Sequence, residues 1–194
     1  MLAALSVGLL ALAGCATDYP DGPSAPPSAV VTGSSSAQQV QALPTRVVIP
    51  SLKIDGSLIT VGLNADNTVE VPDVKTPQQG AWFRYSAIPG EDGPAILLAH
   101  VNGNHKPGLF SHLADATEGA QVRVYLSNGT QVYYKVTRVV TAAKSSFPTR
   151  EVYGATPGSE IRLITCGGVF DSTARSYESN VIVFGVLEQG VDSH

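Results

Sequence analysis

Residues 121–140 read Gln-Val-Arg-Val-Tyr-Leu-Ser-Asn-Gly-Thr-Gln-Val-Tyr-Tyr-Lys-Val-Thr-Arg-Val-Val. Val122, Val124 and Leu126 alternate with polar neighbours, and Val132, Tyr134 and Val136 do the same. A period of two marks strands with one buried face. Between the two runs lies Ser127-Asn128-Gly129-Thr130, where Asn-Gly supplies the positive φ angles of a tight hairpin turn. The stretch therefore predicts two antiparallel strands joined by a short turn.

Similar short runs, rich in β-branched and aromatic residues and separated by turn residues, lie on both sides of it. They predict strands at Thr45–Ile49, Leu58–Gly62, Thr68–Val71, Ala81–Tyr85, Ala95–His100, Gln121–Leu126, Gln131–Val140, Glu160–Cys166 and Asn180–Leu187. No run has the pattern of a three-turn amphipathic helix; Gly108–Asp115 suits one short helical turn. The expected fold class is all-β, a closed barrel of about eight strands with short helical turns. The segment 44–190, about 150 residues, is ample for one such core; 191–194 reads as a tail.

The chain ahead of this body is a different material. Of its 194 residues, 12 are Lys or Arg and 16 are Asp or Glu, yet only Asp18 and Asp21 precede Arg46. The net charge of −4 argues against a nucleic-acid binder, which would carry a basic stripe. Met1–Ala16 is apolar and uncharged. Sixteen helical residues rise about 24 Å, short of the roughly 30 Å hydrocarbon core, which suits a signal peptide better than a spanning helix. Its end, Leu12-Ala13-Gly14-Cys15, resembles the lipobox of bacterial lipoproteins, which would make Cys15 a lipidation site; an uncleaved N-terminal anchor is the alternative. Residues 17–43 hold four Pro and five Ser with no apolar periodicity, the composition of a disordered linker. Both alternatives place the body outside the cytoplasm, on the outer face of the membrane.

Cys166 is then the only cysteine of the body. A solitary exported thiol is either a buried small hydrophobe or a reactive group. Its setting favours reactivity. The apolar run Ile161–Thr165 delivers it, and Gly167-Gly168 follows, placing the sulfur at a barrel rim beside free backbone N–H groups. His100 has the same setting, at the end of Ala95–Ala99 and before Val101-Asn102-Gly103. Two reactive groups at the ends of two strands can meet on one rim. His105 and His112 share no zinc-ligand spacing with His100, so no metal and no cofactor are expected.

These residues match a family. Leu163-Ile164-Thr165-Cys166 resembles the Thr-Leu-x-Thr-Cys signature of sortases, the exported cysteine transpeptidases of Gram-positive bacteria, and Leu98-Ala99-His100 resembles the segment with their catalytic histidine. Arg46–Ile54 is similar to their opening strand, and Gly80-Ala81-Trp82-Phe83 with Pro89-Gly90 to the stretch before the histidine. Cys166-Gly167-Gly168, Phe170-Asp171, Tyr177 and Asn180 resemble the actinobacterial class F.

The resemblance implies a sortase barrel that cleaves a Leu-Pro-x-Thr-Gly sorting signal between Thr and Gly. Secreted proteins bearing that signal would be joined to an amine acceptor such as a peptidoglycan precursor. It implies Cys166 as nucleophile, His100 as acid and base, and Arg175, nine residues on, as the oxyanion-stabilising cation; Arg162 and Arg84 are the fallbacks. Thr165, Gly167 and Ala99 would border the substrate, and the loop Ser145–Gly158 would shape its groove. Asp171 is a conceivable partner for His100, although sortases of this kind need none. Position 178, where a second basic residue would fit, is Glu178, and Ser176–Ser179 separate Arg175 from the predicted last strand. The competing reading is a non-catalytic lipoprotein binding module with a buried thiol. Other cysteine enzymes of the cell wall fit less well: papain-like enzymes place Cys before His, and L,D-transpeptidases place the two close together.

Overall fold

The computed structural model describes residues 41–188. The segments read as signal and linker lie outside the described residues except for 41–43; Cys15 and the tail 191–194 lie outside them too. Ten strands follow in order: β1 (Pro44–Ile49), β2 (Ile54–Val61), β3 (Gly80–Phe83), β4 (Gly93–Ala99), β5 (Asn102–Gly103), β6 (Lys106–Pro107), β7 (Gln121–Leu126), β8 (Gln131–Ala143), β9 (Ser159–Asp171) and β10 (Ser176–Leu187). Eight of them close into a barrel in the order β1-β2-β3-β4-β9-β10-β8-β7, and β5 with β6 makes a small separate hairpin. Closure leaves the eight-stranded barrel without an unpaired edge. The short helical elements include a single 3₁₀ turn at Leu113–Asp115 and α1 (Thr149–Tyr153).

Alternation divides the strands into an inner and an outer face. Ala95, Leu97 and Ala99 of β4, Ile161 and Leu163 of β9, and Val181 and Val183 of β10 pack into the barrel interior with Tyr134 and Phe110. Their neighbours Ile96, Leu98, Ile182 and Phe184 point outward into a second apolar cluster, which Val152 of α1 and Phe147 help to cover. Inside, the Tyr134 hydroxyl shares a hydrogen bond with Ser159 Oγ (3.1 Å) and accepts one from Gly90 N–H (2.8 Å). Burial raises the Tyr134 pKa above the usual tyrosine value.

Two details correct the sequence reading. The 121–140 hairpin forms, but only Gly129 of its turn has positive φ (88°). Gly129 N–H bonds to Leu126 O and Leu126 N–H to Thr130 O, so a turn followed by one left-handed residue replaces the two-residue Asn-Gly turn. Thr68–Val71 is no strand of the barrel; Val69 makes one isolated bridge to Leu63. β2 and β3 run parallel, and the connection between parallel strands must cross back along the barrel. Residues 62–79 are that crossover, folded locally by Asn64 N–H to Thr68 O and by Asp66 Oδ1, which accepts from Thr68 N–H.

Candidate active site

β4 and β9 are neighbours and run parallel, with Leu97 opposite Leu163 and Leu98 opposite Ile164. The Thr165 hydroxyl donates to the Ala99 carbonyl at 2.8 Å and carries this register one residue further. One more step along this register sets His100, the residue after β4, at the level of Cys166, adjacent strands being about 5 Å apart. Both continue the outward-facing rows, His100 after Ile96 and Leu98, and Cys166 after Ile164. On the other side of Cys166 lies Asn180 of β10, its antiparallel partner. Imidazole, thiol and amide thus form one row across three strands.

Each member of the row is held. His100 Nε2 lies 2.6 Å from the Pro72 carbonyl. A carbonyl only accepts, so Nε2 carries the proton and Nδ1 is left for exchange. The His100 carbonyl accepts from Phe110 N–H (3.1 Å), and Gly108 N–H donates to Val101 O (2.9 Å). Only a glycine permits this: a Cβ on Gly108 would fall 2.0 Å from the His100 oxygen. Cys166 is a free, half-buried thiol.

Two cavities meet at this row, and His100 and Cys166 line both. The first, about 660 Å³, is mostly apolar and is walled by Leu98, Ile164, Phe147, Tyr153, Val69 and Val71; Ala99, Thr165 and Asn180 also border it. The 145–158 connection therefore contributes to this wall. Lys144 is its one Lys or Arg and donates to Ser176 Oγ at 2.7 Å. The second cavity, about 850 Å³, lies between the β5–β6 hairpin and the outer ends of β9 and β10. Asn102 Nδ2 bridges the two sides by donating to the Tyr177 hydroxyl (2.5 Å), and Tyr177 packs edge-on against Phe170.

Arg175 lines the second cavity together with Cys166 and His100. The expected gap between it and the last strand does not exist, because β10 begins at Ser176. Arg175 occupies the β9–β10 turn with φ of 51°. Gly167 is buried inside β9 opposite Ser179 and lines neither cavity, since β9 continues past Cys166 to Asp171. Arg162 is no solvated strand residue: it is buried, pairs with Glu160 (2.6 Å) and stacks on Phe184. Four residues before Cys166, it stands about 13 Å away along the strand. Arg84 lies over Gly62 and lines neither cavity. Asp171 accepts from Thr173 and Ala174 N–H, which makes it a turn residue. Among the described residues, no three His, Cys, Asp or Glu side chains stand together as a metal site.

Lys144, Pro72 and Gly108 were not singled out from the sequence. Gly108 alone had a local signal, a glycine ahead of the turn at 113–115; Pro72 and Lys144 reach the site through long-range contacts.

The chain is thus a closed eight-stranded barrel that brings a thiol and an imidazole to matching positions of two parallel strands. The sequence model of the Sortase domain matches residues 47–188, and the chain belongs to the sortase family of transpeptidases. Sortase C1 of Streptococcus agalactiae, in complex with MTSET, shares 19% identity at a TM-score of 0.58, over 77% of this chain and 69% of that one. Sortase C-1 of Actinomyces oris shares 17% at 0.59, over 75% and 74%. A lid mutant of sortase A from Corynebacterium diphtheriae shares 16% at 0.60, over 80% and 76%. At these identities the likeness is one of fold. No curated protein matches the sequence.

Proposed function

We propose that this sortase cleaves a Leu-Pro-x-Thr-Gly-like sorting signal through a thioacyl intermediate on Cys166 and passes the protein to an amine acceptor of the cell wall. The observation that carries the reading is the row His100–Cys166–Asn180, set by the β4–β9 and β9–β10 registers at the junction of two cavities. The apolar groove suits the extended sorting peptide, with its Thr carbonyl at Cys166.

The Cys166 thiolate attacks that carbonyl, and the negative charge moves to the oxygen. Arg175 is the cation assigned to it, as a guanidinium that stays charged. The C–N bond then breaks and the Gly amine leaves with a proton from His100, so that a thioester remains. The acceptor amine gives a proton back to His100 as it attacks the thioester, and the sulfur departs as thiolate. With Nε2 tied to Pro72, Nδ1 is the nitrogen that moves these protons. Thr165 and Ala99 hold the two strands in step, and their hydrogen bond supports a positioning role.

The motifs at 166–171 and 177–180 support a class F sortase of a Gram-positive bacterium. The apolar Met1–Ala16 segment supports anchoring on the outer face of the membrane, through lipid on Cys15 or as an uncleaved anchor. The test is intact-mass spectrometry of the full chain after mixing with a Leu-Pro-x-Thr-Gly peptide and an amine. An acyl adduct that disappears in Cys166→Ala, and a product that disappears in His100→Ala, are expected. An unmodified protein whose Cys166 also resists alkylation would overturn the reading in favour of the binding module.

A further inference from the structure

The second cavity has a one-sided charge. Lys106 and Arg175 line it with His105 and His112, and no Asp or Glu does. The chain as a whole is acidic, so this patch opposes the overall balance. Of the carboxylates flanking it in sequence, Asp171 accepts from the turn amides of 173 and 174, Asp115 pairs with His112 Nδ1 at 3.2 Å, and Glu178 is exposed beside Tyr177. The basic residues sit on unusual backbone. Asn104 and His105 form the two-residue turn of the β5–β6 hairpin with φ of 47° and 59°, and Arg175 has φ of 51°. Non-glycine residues in this region cost energy, and here they present their side chains to the cavity that holds the sulfur.

A plain alkylamine is protonated before it reacts and would be repelled from such a cavity. An amine that also bears a carboxylate is drawn in, because the carboxylate meets Lys106 while the nitrogen faces the thioester and Arg175 stays with the oxyanion. Resting on the transpeptidase reading above, we infer that the second cavity selects its acceptor as a carboxylate-bearing amine, with Lys106 the specificity residue for the carboxylate. The apolar groove, with a single lysine, would take the acyl side and has no such selectivity.

The test separates binding from turnover. The full chain carrying Cys166→Ala is titrated with triglycine and with triglycine amide, which differ only in the terminal carboxylate, and the side-chain signals of His105, His112 and Tyr177 are followed by NMR. One exposed cation, Lys106, predicts about two- to fivefold tighter binding of triglycine. Lys106→Gln should reduce the ratio, and Lys106→Glu should bring it to about one or invert it. Equal affinities in the unmodified cavity, or shifts confined to Phe147 and Tyr153 of the other groove, would overturn the inference. Wild-type protein run in parallel with a sorting peptide tests the underlying reading: if no thioester forms but triglycine is still preferred, the carboxylate site stands and the transpeptidase reading of the site falls.

Discussion

Gly108→Ala is the sharpest test of how the histidine is positioned. The backbone of Gly108 is not left-handed, so alanine can adopt it and any cost is one of contact. The added Cβ would lie 2.0 Å from the His100 oxygen and 2.6 Å from its carbonyl carbon. A carbon and a carbonyl oxygen rest at about 3.3 Å, so the two chains must part by about 1.3 Å. Leu109, Phe110 and Leu113 are buried and anchor the 108–113 side. Much of the shift therefore falls on His100. Overpacking of this kind costs about 1–3 kcal/mol, a drop in Tm of about 3–10 °C. A displacement near 1 Å at a reacting group lowers its rate about 100-fold. Gly129→Ala is the control: its φ of 88° is strained for alanine by about 1–2 kcal/mol, but no atom lies within 4 Å. The two variants should lose similar stability, while only Gly108→Ala should acylate Cys166 slowly, read as adduct mass against time. A normal acylation rate in Gly108→Ala, or an equal loss in Gly129→Ala, would refute the reasoning.

Three further perturbations follow from the same geometry. Thr165→Val keeps the shape but leaves the buried Ala99 carbonyl without its donor, so urea titration should show a loss of about 1–3 kcal/mol, with slower acylation, and Thr165→Ser should recover most of that rate. Arg175→Asn retains a residue that tolerates positive φ while removing the charge; acylation should fall about 100-fold or more with Tm almost unchanged, and wild-type acylation would remove Arg175 from its assigned role. Tyr134 has a folded pKa raised by burial, so its stabilising contribution is complete below the unfolded value near pH 10 and is lost as pH rises through the folded one. Urea midpoints between pH 8 and 11 should fall, and Tyr134→Phe should fall less steeply, with Tyr153, raised for the same reason, supplying a residual slope.

Local patterns made most of the barrel legible, and they failed where no core stood behind them. Alternation located β7 and β8 because one face of each is buried. Past Cys166 and before Asn180, β9 and β10 go on as a two-stranded ribbon, with Gly167 opposite Ser179 and Asp171 opposite Ser176. Gly168, Val169 and Phe170 of that ribbon are exposed, so it has no hydrophobic period to read. Sequence alone consequently detaches Arg175 from a strand that begins at the next residue. Thr68–Val71 misled in the opposite sense: its β-branched residues pack around the apolar groove and in a crossover, without a barrel neighbour to pair with. The cation fallbacks failed for a related reason. Arg162 shares the outward face of Cys166, yet parity along a strand does not say how far along it a residue sits.

The row at the rim depends on strand direction more than on any single side chain. Most neighbours in this barrel are antiparallel, and antiparallel neighbours bring the end of one strand to the start of the next. β4 and β9 are parallel, so the C-terminal end of β4 arrives beside Cys166 within β9, although His100 and Cys166 are 66 positions apart in the sequence. β10 lies antiparallel to β9, so the residues that open it share that edge. The hairpin reaching back from β10 carries Arg175 and Tyr177 to the second cavity, and the loop after β4 carries Lys106 and His105 there. The apolar groove is built from the outward rows of the same strands and from the 145–158 cover. One parallel pairing therefore sets a thiol and an imidazole side by side and opens a separate approach on each side of them. The proposed transpeptidase cycle requires that separation, because its acceptor has to reach the thioester without displacing the bound peptide.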